Sequence, residues 1–163
     1  MIVQEYIHLD TSTAALGNEP FIILLRYDER RLLVGTRQNG LFLYDGAVLT
    51  PFATAAAALS SAQLYRGIAL PNRTFGIMTL SAGLITIDAA GRQVKHISRA
   101  NGLPSDTVYY ALRDREGALW LGLDNGVTRV ETPSPVSYFN ASDGLSGSVQ
   151  AASEGAGLGS RFV

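Results

Sequence analysis

The chain contains no cysteine, and it has only two histidines and one tryptophan among its 163 residues. The absence of cysteine excludes disulfide bonds and thiolate metal sites. No apolar run reaches the length that a membrane span needs, and the first residues lack the basic and apolar blocks of a signal peptide. Basic and acidic residues nearly balance, 13 against 14, without long runs of one sign. Neither nucleic acid nor an anionic membrane is therefore expected as a partner.

Helix-period patterns are nearly absent as well, although 47% of the residues are hydrophobic. This combination predicts one all-β domain with a packed core over residues 1–163. Short β-branched and aromatic runs supply the strands, and glycine, asparagine and aspartate supply the turns between them. In the clearest part of the sequence the predicted strands cover residues 108–112, 118–122, 127–130 and 136–139.

Three equally spaced glycines organise the sequence. Gly40, Gly83 and Gly126 stand 43 residues apart, and each opens a short apolar run that ends in an acidic residue. A period of about 40–45 residues with short strands and glycine turns is typical of one four-stranded blade of a β-propeller. Because the acids recur at one position of the repeat, we expect them to cap the turn after the third strand, with a cation-binding ring of carboxylates as the alternative. These acids are Asp45, Asp88 and Glu131.

The repeat divides the chain into β-propeller blades, each a four-stranded antiparallel sheet. Residues 1–18 are predicted to end a preceding blade, and residues 148–163 are predicted to begin a further one. Three complete blades are predicted between them, giving a partial propeller of about three and a half blades. Closed propellers need about 4–8 blades, so we expect the chain to be a piece of a longer protein. The two incomplete ends are complementary, and a homodimer that completes one propeller is therefore predicted. The complete blades cover residues 19–63, 64–107 and 108–147.

Two motifs connect this repeat to a known family. Residues 118–122 read Ala-Leu-Trp-Leu-Gly, and residues 101–106 read Asn-Gly-Leu-Pro-Ser-Asp. With the repeated glycines, these motifs resemble the two-component regulator propeller repeats over about residues 21–147. Such repeats fill the extracytoplasmic sensor regions of bacterial hybrid histidine kinases and some diguanylate cyclases.

The resemblance implies a non-catalytic, ligand-sensing module of a bacterial signal-transduction receptor, in a periplasmic or extracellular region and without a cofactor. Small molecules, carbohydrate fragments among them, are the ligands that the family implies. Signal and membrane segments would then lie outside this chain. Two other functions stay open, namely a propeller enzyme of the antibiotic lyase kind and a protein-interaction scaffold that binds no small ligand.

Polar residues at one end of the predicted blades form the candidate ligand site. Alternate turns of an up-and-down sheet share one end, so the turns between second and third strands lie beside the loops that leave each blade. Small ligands commonly bind among loops at the mouth of such a fold. The alternative is that these are ordinary solvated turn residues. The candidates are Arg37, Gln38, Asn39, Ser81, Asn101, Asp124 and Asn125.

No residue pattern points to catalysis or to a metal. His8 and His96 each fall in an outer strand, without the convergent partners that a metal site or a Ser-His-Asp arrangement requires. Residues 155–160 read Gly-Ala-Gly-Leu-Gly-Ser, but no helix follows them. A phosphate loop needs that helix, so a glycine turn is predicted there instead.

The single tryptophan is expected to serve the core. Trp120 lies between two leucines inside an apolar strand. Packing between adjacent blades is therefore predicted for it, rather than stacking on a ligand. Leu33 and Ile77 hold the matching places in the other repeats.

Overall fold

The structure, a computed structural model, describes part of the chain. Backbone and side chains are described for residues 19–52, 59 and 61–131. The backbone alone is described for Val136–Phe139, Ala152–Glu154 and Ser160–Phe162. The predictions for residues 1–18, including His8, and for the turn at residues 155–159 lie outside the described residues.

The described residues form three antiparallel sheets of four strands, each with its strands in chain order. They include almost no helix, which confirms the all-β prediction. Sheet 1 contains β1 (Ile23–Arg26), β2 (Leu32–Gly35), β3 (Leu41–Tyr44) and β4 (Leu49–Pro51). Sheet 2 contains β5 (Leu64–Leu70), β6 (Thr74–Thr79), β7 (Leu84–Ile87) and β8 (Gln93–Ile97). Sheet 3 contains β9 (Val108–Arg113), β10 (Leu119–Leu123), β11 (Gly126–Val130) and β12 (Val136–Phe139).

The first strands of successive sheets are neighbours. β1 lies beside β5, β5 lies beside β9, and β9 lies beside the first strand of a fourth, two-stranded sheet. The sheets therefore follow one another around the line of their first strands, which is consistent with a partial β-propeller. The two-stranded sheet consists of β13 (Ala152–Glu154) and β14 (Ser160–Phe162).

Apolar side chains fill the two spaces between successive sheets. Between sheets 1 and 2, the fully buried residues include Ile23, Leu33 and Phe75. Between sheets 2 and 3, they include Met78 and Leu121. Sheet 2 is buried on both faces, so β6 and β7 read as nearly continuous apolar runs instead of alternating ones.

Gly40 and Gly83 occupy equivalent turns in sheets 1 and 2. The amide of Thr36 donates to the carbonyl of Gly40 at 3.1 Å, and the amide of Thr79 donates to that of Gly83 at 3.0 Å. The φ angles of the glycines are +83° and +76°, a conformation that favours glycine. Gly126 differs, because it pairs directly with Leu123 across a shorter turn. The equal spacing of the three glycines in the sequence therefore does not place the third at the same turn position as the other two.

The shorter turn changes the position of Trp120. Leu33, Gly76 and Trp120 each pair with the same position of the third strand in their sheet, so these three residues are equivalent. The match of Trp120 with Ile77, made from the sequence alone, is wrong by one residue. Trp120 lies on the face of sheet 3 turned away from sheet 2, since its neighbours Leu119 and Leu121 face sheet 2.

Trp120 is partly buried, and its predicted packing against the following blade involves side chains outside the described residues. Its indole Nε1 donates to Asp114 Oδ2 at 2.9 Å, and the guanidinium of Arg129 lies 5.8 Å from its ring centroid. Both partners belong to sheet 3 and to its own turn. Trp120 thus holds its own sheet together, in addition to facing the next part of the chain.

Aspartates cap the turns at the opposite end of the sheets. Asp45 Oδ1 accepts from the amides of Ala47 and Val48, which confirms the predicted turn-capping role. Asp88 caps its turn in the same way. Glu131 forms an ion pair with Arg129, and the turn that it was predicted to cap lies outside the described residues.

These bonds lower the pKa of each capping aspartate. The Arg31 side chain holds the pKa of Asp28 at about 2, against an ordinary value of 3.8. The amide of Val48 lowers the pKa of Asp45, and the amide and side chain of Arg92 lower that of Asp88. Burial acts to raise the pKa of Asp114, but the hydrogen bonds from Trp120 and Ala118 and the charge of Arg129 outweigh it. We call this end of the sheets the acid-capped end.

The two equivalent glycines provide a matched pair of substitutions. Gly40 has open space around it, whereas a Cβ at Gly83 would collide with the backbone carbonyl of Ile97. Gly40→Ala is expected to cost about 1–2 kcal/mol for the left-handed backbone alone. Gly83→Ala is expected to cost more than about 3 kcal/mol, because a steric clash with backbone is added. Equal losses in urea denaturation would show that the two turns are not constrained as described.

The capping aspartates predict acid sensitivity. Their pKa values are lower in the folded chain than in the unfolded one, so their stabilisation is complete above about pH 4. It is lost as the pH falls towards about 2, the pKa of folded Asp28. The urea midpoint is expected to decline over this range, and less steeply in Asp28→Asn. A midpoint that stays flat between these pH values would contradict the role of the caps.

One threonine hydroxyl in the core is expected to be dispensable. Among the described residues, Thr128 Oγ1 is buried and has no hydrogen-bond partner. Thr128→Val is expected to raise the free energy of unfolding by about 1 kcal/mol, because the desolvated hydroxyl is removed. The control is Thr79→Val, whose hydroxyl bonds Gly83 and Ala82 and whose loss is expected to cost about 1–2 kcal/mol. Destabilisation by both variants would contradict the assignment.

Candidate functional site

The predicted ligand residues lie at the end of the sheets opposite the aspartate caps. This end, which we call the turn face, contains the turns β2–β3, β6–β7 and β10–β11 and the loop from β8 to β9. Hydrogen bonds tie the turns of sheets 1 and 2 to the start of the following sheet. The amide of Leu64 donates to the carbonyl of Arg37 at 3.0 Å, and Thr107 Oγ1 donates to the carbonyl of Leu80 at 3.0 Å. The turns of neighbouring sheets therefore form one continuous surface.

The turn of sheet 1 carries three of the candidates. Arg37, Gln38 and Asn39 are all exposed. The backbone amide of Gln38 and the side-chain amide of Asn39 both donate to the carboxylate of Glu19, at 3.3 and 3.1 Å. The guanidinium of Arg37 has no partner among the described residues and remains available to a ligand.

Of the other four candidates, three are exposed turn residues and the fourth, Asn101, has a structural role. Ser81, Asp124 and Asn125 are exposed at the turns of sheets 2 and 3. Asn101 is committed to the loop itself. Its Oδ1 accepts from the amide of Ser98 at 2.6 Å, and its Nδ2 donates to the carbonyl of His96 at 2.6 Å. The amide of Asn101 therefore shapes the loop and is not free to bind a ligand.

A cluster of aromatic rings at the turn face was not predicted from the sequence. Tyr65 and Tyr109 lie at the starts of β5 and β9, and each is an extra residue at a β-bulge, where the pairing register shifts. Their ring centroids are 5.5 Å apart, with an interplanar angle of 64°. Such an edge-to-face contact is favourable for aromatic pairs. Bulges often re-aim a side chain beside a functional site.

A single arginine joins this cluster. The guanidinium carbon of Arg66 lies 6.0 Å from the ring centroid of Tyr65 and 5.4 Å from that of Tyr110. Arg66 is exposed, while Tyr65, Tyr109 and Tyr110 are partly buried. Among the described residues, Arg66 pairs with no carboxylate. The cluster therefore presents a positive charge held between aromatic rings.

The sequence contains one sign of this cluster, namely an interval between repeats that is one residue longer at the first strands than at the glycines. Leu64 and Val108 begin their strands 44 residues apart, as do Tyr65 and Tyr109, although the glycines stand 43 apart. The extra residue is compensated by the shorter turn before Gly126. A search for tyrosines at an interval of 44 would have found the pair.

Two open clefts lie at the acid-capped end instead. One is lined by the turn of Asp28 and Arg31 together with Asp45, and the other by Tyr27 and Phe75. Three of the polar side chains in these clefts are already engaged within the chain. Nε and Nη2 of Arg31 both donate to Asp28 Oδ2, at 2.8 and 2.6 Å, and the Tyr27 hydroxyl donates to the carbonyl of Ala89 at 2.7 Å.

The one histidine among the described residues has a structural contact. His96 is partly buried on its outer strand, as predicted, and its Nε2 lies 2.7 Å from the carbonyl of Ala82. Within the residues that the structure describes, no group of histidines and acids is placed to hold a metal ion. In the same residues, no helix is long and apolar enough to cross a membrane.

No family model matches the chain, and no curated protein matches it. Its fold matches solved extracellular domains from B. thetaiotaomicron. One belongs to a proposed one-component system, with 17% identity and a TM-score of 0.63, and the match covers 82% of this chain and 19% of that one. Another belongs to a proposed hybrid two-component system, with 15% identity and a TM-score of 0.67, covering 84% of this chain and 21% of that one.

The chain thus spans about a fifth of the length of these solved structures. At this level of identity, the likeness is one of fold. It confirms the resemblance to sensor-region repeats that the sequence motifs indicated, because the matching structures are extracellular domains of one-component and hybrid two-component systems.

Proposed function

We propose that this chain is a ligand-sensing, non-catalytic part of an extracytoplasmic receptor in bacterial signal transduction. The observation that carries the proposal is the fold shared with extracellular domains of signalling systems over 82–84% of the chain. The receptor would lie in the periplasm or outside the cell. Its output domain would belong to a longer protein, of which this chain forms a fraction.

The architecture proposed for this role is a partial β-propeller. Sheets 1, 2 and 3 would be blades over residues 19–63, 64–107 and 108–147, with residues 1–18 and 148–163 belonging to the adjoining blades. The neighbouring first strands β1, β5, β9 and β13 support this arrangement. Further blades would come from the rest of a longer chain or from a second copy of this one, paired end to end.

The ligand is proposed to bind at the turn face. Arg37, Gln38, Ser81, Asp124 and Asn125 are exposed there. Hydrogen bonds fix the turns of sheets 1 and 2, which carry Arg37, Gln38 and Ser81, to the following sheet. Ligand binding that depends on two adjoining sheets would change how firmly they pack, which is a means of passing a signal along the chain.

A combined binding and turnover screen tests this function. The chain is heated with a panel of sugars, oligosaccharides and small organic acids, and each mixture is then analysed by mass spectrometry. At least one compound is expected to raise the melting temperature and to be recovered unchanged, since a ligand at about 100 times its Kd stabilises the native state by about 2.7 kcal/mol. Chemical conversion of a compound would support the lyase alternative. The absence of any shift across the panel would support the scaffold alternative.

A further inference from the structure

We propose that Tyr65, Arg66, Tyr109 and Tyr110 form a binding site for a small anion that carries an apolar ring face. Aromatic carboxylates and uronic acids share this chemistry. The inference rests on the proposed function, because it names the subsite and ligand class of the turn face. It differs from the predicted turn residues, since the site lies on the first strands, where neighbouring sheets meet.

The tyrosines of the described residues fall into two groups. Tyr27 and Tyr44 are only 9% and 7% exposed, and their hydroxyls donate to the carbonyls of Ala89 and Gly46. These two rings are satisfied parts of the core. The three rings of the cluster are more exposed, and their hydroxyls bond to no described residue. Within the part of the chain that the structure describes, the cluster therefore has hydroxyl groups without a hydrogen-bond partner, as a site for a polar ligand requires.

Two β-bulges in the backbone position the rings of Tyr65 and Tyr109. Tyr65 and Tyr109 are the extra residues of two bulges that stand at equivalent places in β5 and β9. A bulged residue leaves the regular alternation of its strand, and its side chain is re-aimed. As a result, side chains from two sheets contact each other at 5.5 Å across the sheet boundary.

The positive charge of Arg66 favours a ligand with a negative charge. Arg66 stacks near two rings and pairs with no carboxylate among the described residues. A guanidinium that is partly shielded by rings binds a carboxylate by two parallel hydrogen bonds. A ring face of the ligand would pack on a tyrosine while its anionic group reaches Arg66. A neutral ligand would leave the arginine without a partner.

Titrations with two pairs of probes test the site. Benzoate and glucuronate are the anionic probes, and benzamide and glucose are their neutral counterparts. Binding to the full chain is followed by NMR through the side-chain signals of arginine and tyrosine. At least one anionic probe is expected to bind at least about tenfold more tightly than its neutral counterpart, and the two anions distinguish an aromatic from a sugar ligand.

Three variants locate the binding. Arg66→Gln removes the charge from an exposed side chain and is expected to weaken the bound anion about tenfold or more. Tyr109→Leu is expected to weaken it about tenfold as well, because the stacking ring is lost. Arg37→Gln tests the turns as the alternative position of the anion. Arg99→Gln is the matched control, because Arg99 is an exposed arginine of the loop from β8 to β9 with no ring contact among the described residues, and it is expected to change the affinity less than about twofold.

The possible results distinguish a failure of the proposed anion site from a failure of the proposed sensing function. Weakening by Arg37→Gln but not by Arg66→Gln would overturn the site and place the anion at the turns, with the sensing function intact. Equal binding of charged and neutral probes, or no binding of either anion, would overturn the ligand class. If the melting screen still finds a ligand in that case, the sensing function stands. Circular dichroism and melting temperatures of the variants check that each one folds as the parent chain does.

Discussion

The close approach of each sheet's first strand to the next one sets the position of every other feature. Between β1 and β5 the space is so limited that a Cβ at Gly67 would lie 2.8 Å from Ile23 Cγ2. Glycine is therefore required there for packing and not for a turn. With the strands this close, apolar side chains of both sheets interlock, and the turn carbonyls of Arg37 and Leu80 reach the start of the following sheet. The acceptor carbonyl repeats at these two boundaries, although the donor is a backbone amide at the first and a threonine hydroxyl at the second.

Most of the fold could be predicted from the sequence because its signals are local. Alternating apolar runs and glycine or aspartate turns define the strands, and the observed bounds differ from the predicted ones by one or two residues. The failures concern register. Sheet 3 has one residue more before β10 and one fewer in the turn before Gly126, so the interval between repeats is 43 at the glycines and 44 at the first strands. A shift of one residue moves a side chain to the other face of its sheet. That shift separated Trp120 from its expected match with Ile77.

The candidate site was predictable only in outline. The topology of an up-and-down sheet places Arg37, Ser81 and Asp124 at one end, and the structure agrees. The structure also shows which polar groups are already used within the chain, and the sequence leaves this open. The side-chain amide of Asn101, for example, bonds the backbone of its own loop at Ser98 and His96. The tyrosine cluster depends on two bulges, and a bulge has no reliable signature in a single sequence.

The two ends of the sheets divide the polar chemistry between them. At the acid-capped end, the carboxylates of Asp28, Asp45, Asp88 and Asp114 accept hydrogen bonds from their own turns, which lowers their pKa values and fixes the backbone. A ligand there would have to displace these internal bonds and would lose the stability that they give. At the turn face, threonine hydroxyls and backbone groups hold the turns in sheets 1 and 2, as the bonds of Thr36 and Thr79 illustrate. The charged side chains of Arg37 and Arg66 are thereby left uncommitted among the described residues. A ligand that paired with these two arginines would displace no ion pair among the described residues, whereas a ligand in the cleft beside Asp28 would compete with the ion pair to Arg31.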